Sequence, residues 1–71
     1  MNFDELWNEI EKLHMLPDAE IKQVPQILSN KTKKRLSRKT PEEACRILKE
    51  VIDQINLGSV ETVNALIQEK L

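Results

Sequence analysis

The sequence predicts an all-α protein, a small single-domain bundle of four to five short helices in orthogonal or irregular packing, spanning residues 1–71. Three observations carry that prediction. Apolar residues recur at helical spacing in every segment, and no apolar–polar alternation of period two competes with them. Helix start signals precede the apolar stripes at Asn2, Ser29, Thr40 and Ser59. Seventy-one residues with one cysteine offer neither a disulfide nor enough ligands for a closed zinc site, so a single apolar core must hold the chain.

The first helix is expected from about Asn2 to Met15. Asn2 is a plausible N-cap with Glu5 three residues on, and Phe3, Leu6, Trp7, Ile10 and Leu13 form one stripe. Asp4 and Glu5 suit the positive end of the helix dipole. Pro17 disfavours α geometry at Leu16, which should end the helix there.

Ile21, Val24, Ile27 and Leu28 keep helical spacing in the next segment, with Asp18 as a possible cap. Pro25 lacks an amide hydrogen and collides with the carbonyl four residues back, so a break is expected near Gln23 to Pro25. Ser29 or Asn30 then caps a short basic helix through Ser37. On it Lys31, Lys34, Arg35 and Arg38 share an arc of ~100°, with Leu36 pointing the opposite way toward the core.

The strongest start signal is Thr40-Pro41-Glu42-Glu43, which combines an N-cap threonine, a first-turn proline and a glutamate at the third helical position. Ala44, Ile47, Leu48, Val51, Ile52 and Ile55 follow on one face, so a long helix from Thr40 to Asn56 should sit at the centre. Glu42–Arg46, Arg46–Glu50 and Lys49–Asp53 are spaced to pair along its outer face. Gly58 is expected to supply the left-handed residue that ends helices. Ser59 would cap a last helix with the stripe Val60, Val63, Leu66, Ile67 and Leu71.

Charge is segregated along the chain. Positions 31–39 hold six of the eleven basic residues, while the rest of the chain holds five basic and all twelve acidic groups. Such clustering implies an anionic surface opposite: an external partner, or acids of this fold such as Asp4, Glu5, Glu9, Glu11, Asp18 and Glu20. Phosphate contacts along a nucleic acid are one expectation. The near-neutral balance of −1 argues against a dedicated nucleic-acid binder, and two aromatics, Phe3 and Trp7, make no base-stacking ladder.

The corner at Gly58 has the outline of a DNA-reading helix-turn-helix, which would set Glu61, Thr62, Asn64, Ala65 and Gln68 in the major groove. Glu61 and Glu69 against Lys70 alone make that helix net negative, so a plain helical corner is the better reading. Trp7 lies on the apolar stripe and is also the kind of residue that anchors interfaces.

Catalytic constellations are missing. His14 has no nucleophile near it, Cys45 reads as a small packed residue, and a single glycine provides no phosphate cradle. No metal or other cofactor is expected, and no enzyme. The longest uncharged run is too short to cross a bilayer, and the N-terminus is acidic where a secretory signal would be basic, so a cytoplasmic protein without membrane contact is expected. The function expected is that of an interaction module, a regulator or adaptor, binding a protein partner through helix faces. The candidate contacts are Lys31, Lys34, Arg35, Arg38 and Trp7. A nucleic-acid-binding accessory role for the basic helix 31–39 is the alternative. A high apolar content for so small a chain also allows a homodimer through the first and last helices.

Overall fold

A computed structural model describes residues 2–55 and 58–71, and among them it contains five helices and no strand. The order is α1 (Phe3–Leu13), α2 (Asp18–Ile27), α3 (Asn30–Leu36), α4 (Pro41–Gln54) and α5 (Val60–Lys70). The fold class is the expected one: a small all-α bundle, with nearly equal extents of 25 × 23 × 18 Å. Asn56, expected to finish the long helix, and Leu57, in its connection to the last one, lie outside the described residues.

Helix α1 begins as its sequence suggests. The Asn2 Oδ1 accepts from the Glu5 backbone N–H at 2.9 Å, and the Asn2 amide donates to the Glu5 carboxylate at 3.4 Å. The helix ends earlier than expected, at Leu13. His14 takes φ 54° and ψ 32°, the left-handed conformation, and this turn lets Leu16 reach the core. Pro17 therefore precedes α2 and does not end α1.

Helix α2 corrects a second expectation, because it passes through Pro25 without a break. The missing proline amide would have served the carbonyl of Ile21, four residues back. That carbonyl instead accepts from the indole Nε1–H of Trp7 at 3.2 Å. A side chain from α1 thus replaces the absent backbone donor.

Helix α4 is capped as expected, with the Thr40 hydroxyl accepting from the Glu43 N–H at 3.2 Å. Its buried face, Ala44, Cys45, Ile47, Leu48 and Val51, packs against both α1 and α5. The helix ends at Gln54, where Ile55 adopts extended geometry (φ −142°, ψ 164°). The helix thus stops before Gly58, the residue expected to end it. Ser59 precedes α5 but its side chain makes no capping bond, and Val60 stands exposed instead of joining the apolar stripe.

All five helices feed one core. Leu6, Ile10, Val24, Leu36, Leu48, Val51, Val63 and Ile67 are each almost completely excluded from solvent.

Candidate partner-binding surface

The basic edge is built on α3 and the turn after it. Ser29 starts the helix, its hydroxyl accepting from the Thr32 N–H at 3.2 Å. Thr32 and Leu36, one turn apart, are fully buried and hold the helix against the core. The opposite side carries Lys31, Lys34 and Arg35, all exposed, and Arg38 continues it just beyond the helix. The Ser37 hydroxyl donates to the Lys34 carbonyl at 2.7 Å and tightens the C-terminal end.

Two polar side chains of α5 lock this helix in place. Asn64, nearly buried, accepts from the Ser29 N–H at 2.9 Å and donates to the carbonyls of Ile27 at 3.0 Å and Val60 at 2.8 Å. Gln68 donates to the Thr32 hydroxyl at 3.0 Å, and that hydroxyl also shares a 2.9 Å bond with Ser29. A helix-turn-helix reading of the corner, set aside on charge in favour of a plain helical corner, would have put Asn64 and Gln68 in a DNA groove. The structure turns both inward, and with them goes the base-reading version of the Gly58 corner. A signal for this was present: with Val60, Val63, Ile67 and Leu71, the two amides complete an i, i+3, i+4, i+7 pattern.

Among the described residues, no acid lies within ion-pair distance of Lys31, Lys34, Arg35 or Arg38. Among the described residues the ion pairs are Lys12–Glu9 at 3.4 Å and Lys70–Glu50 at 3.3 Å. Lys31, Lys34, Arg35 and Arg38 take part in neither, so the expected neutralisation by acids of α1 and α2 does not occur at ion-pair distance. Lys33 differs from its neighbours, since its ammonium lies 5.3 Å from the centroid of the Phe3 ring. Arg35, Arg38 and Lys39 border, with Leu71, a small hollow of about 210 Å³. The three pairs expected along α4, Glu42–Arg46, Arg46–Glu50 and Lys49–Asp53, are likewise not formed.

Trp7 is not on this surface. It is 6 % exposed, stacked on Phe3 with centroids 5.5 Å apart, and bonded to the Ile21 carbonyl. As a partner anchor it is corrected to a core residue, its one polar atom already used.

Elsewhere, Cys45 is fully buried, and burial pushes its thiol pKa up, with Glu42 adding electrostatic repulsion of the thiolate. That is the opposite of an activated nucleophile. Among the described residues no group of three His, Cys, Asp or Glu is placed to hold a metal ion. Among the described residues no helix is long and apolar enough to cross a membrane. Two further shallow grooves lie on the surface. One, of about 470 Å³, runs along the outer face of α4 beside the exposed Met15. The other, of about 710 Å³, follows α5 near the exposed Val60.

Comparison with known proteins returns nothing: no family model, no curated protein and no solved structure matches this chain.

Proposed function

We propose that this chain is a non-enzymatic interaction module, a small regulator or adaptor that docks an acidic protein surface through Lys31, Lys34, Arg35 and Arg38. The observation that carries the reading is four exposed cations on one edge, none paired to an acid of its own fold. Like charges held this close repel, and an anionic partner relieves that repulsion. The helix that presents them is fixed from behind by Thr32, Leu36, Asn64 and Gln68, so the edge is preorganised and little ordering remains to be done on binding.

A protein fits better than a nucleic acid because the charge is local. Asp4, Glu5, Glu9 and Glu11 on α1 and Glu42, Glu43 and Asp53 on α4 are exposed, and they would repel phosphates extending beyond the edge. Trp7 is inside, which leaves the surface without a stacking platform for bases.

The test compares the protein with its K34E/R35E variant. Both substitutions are at exposed sites and should shift stability by about 0.5 kcal/mol or less. The wild-type protein should retain an acidic protein from its native lysate, with or without nuclease, and the variant should lose it. Binding to random duplex at about 50 mM salt that vanishes by about 200 mM would instead identify a phosphate-contacting protein. Equal capture by both forms would remove the basic edge from the function.

A further inference from the structure

The outer face of α4 is the second unpartnered surface with a definite character. Its groove of about 470 Å³ is bordered by Glu42, Glu43, Glu50 and Asp53, against Arg46 and Lys49, so its balance is negative. Beside them Met15 is 43 % exposed, a large apolar side chain held in solvent by the left-handed turn at His14. None of the ion pairs available within the helix forms, and Glu50 alone reaches a cation, Lys70 of α5.

This face begins three residues after Lys39, where the basic edge ends. The first acids of the groove, Glu42 and Glu43, thus follow the last cations of the edge directly across the α3–α4 turn. We infer that edge and groove are complementary halves of one self-association surface, with the basic edge of one copy seated in the Met15–α4 groove of a second copy. This rests on the basic edge being a docking surface and names its partner as the same chain.

Symmetry favours the arrangement. Where two complementary patches lie side by side, a two-fold axis between them satisfies both at once, each basic edge meeting the other copy's acidic groove. The aliphatic stems of Lys34, Arg35 and Arg38 supply apolar surface for Met15, an adaptable side chain suited to such contacts. Because the contacts are ionic and near the surface, the association must weaken as salt shortens the screening length from above to below about 10 Å.

Sedimentation equilibrium on the intact chain, K34E/R35E and E50K/D53K tests this, with circular dichroism establishing that each variant is folded. The wild type should form a dimer at about 20 mM salt whose Kd rises ~10-fold or more by about 300 mM. Each variant alone should be monomeric, since reversal sets like charges face to face. An equimolar mixture of the two should dimerise again, because the retained edge of one meets the retained groove of the other, and the two reversed patches also match. A wild-type chain monomeric at high micromolar concentration in low salt overturns the inference. So does a dimer that survives E50K/D53K, or a mixture that stays monomeric. Capture of an acidic lysate protein would still stand if self-association failed. If only K34E/R35E dissociates the dimer, the edge is a docking surface but α4 is not its receptor.

Discussion

Replacing Asn64 with alanine tests the idea that α3 is held in place from α5. The asparagine amide makes three hydrogen bonds to backbone, at 2.8, 2.9 and 3.0 Å. Val60 lies within α5, so its carbonyl keeps its helical partner when the side chain goes. The Ile27 carbonyl ends α2 and the Ser29 N–H opens α3, and both lose the Asn64 partner. Each orphaned group costs ~1–1.5 kcal/mol where water reaches it only in part, giving about 2–3 kcal/mol in total. For a domain of this size 1 kcal/mol lowers Tm by ~4–8 °C, so N64A should melt at least ~8 °C below the wild type by circular dichroism. A shift under ~3 °C would mean that the bonds to Asn64 are dispensable. N64D adds a sign test. Its carboxylate can still accept from Ser29 but faces two carbonyls, which raises its folded-state pKa above the unfolded value. The stability of N64D relative to wild type should therefore be recovered at low pH and lost as pH rises through that raised pKa.

Trp7→Phe keeps most of the ring but orphans the Ile21 carbonyl, and should cost ~1–2 kcal/mol by denaturant titration; the same substitution on a P25A background should cost less, because the alanine returns a helical amide to that carbonyl. Thr40→Ala removes the cap of the longest helix and should cost ~1 kcal/mol, or several degrees in Tm; an unchanged melt would show that the cap bond contributes nothing. His14→Gly relieves the left-handed conformation of a residue with a Cβ and should raise stability by ~0.5–1 kcal/mol, and a loss would show that the imidazole makes a compensating contribution. Cys45 should resist iodoacetamide near pH 8 until the fold is opened with denaturant, because its thiol is buried and its pKa raised; by the same linkage its contribution to stability is present below the unfolded thiol pKa and declines as pH rises through the folded one.

Much of this fold is legible because its signals are local. Asn2 and Thr40 cap helices three residues away in sequence, and the stripes of α1 and α4 need nothing beyond helical periodicity. The exposure of Lys31, Lys34 and Arg35 follows from the same arithmetic, once Leu36 is taken as the buried side. What escapes the sequence is long-range. Pro25 reads as a break because the donor that rescues Ile21 sits on Trp7, in a different helix, and nothing local announces the pairing. Asn64 and Gln68 read as surface amides because their partners, Ser29 and Thr32, lie more than thirty residues earlier. Gly58 marks the stop of α4 too late, because extended Ile55 has already ended the helix.

The charge segregation that stands out in the sequence takes a definite meaning from these contacts. A fold that needed its basic segment for internal cohesion would bring an acid to it, and α1, which packs against α3, carries exposed carboxylates. Instead the polar groups that secure α3 are neutral: Ser29, Thr32, Asn64 and Gln68 bind it through hydrogen bonds on its inner side, and Leu36 fills the core beneath. Neutral anchoring is insensitive to salt and leaves every cation on the outer side available. Reversing two of those charges should therefore change what the molecule binds while leaving how it folds, and that separation of roles is what a docking edge requires.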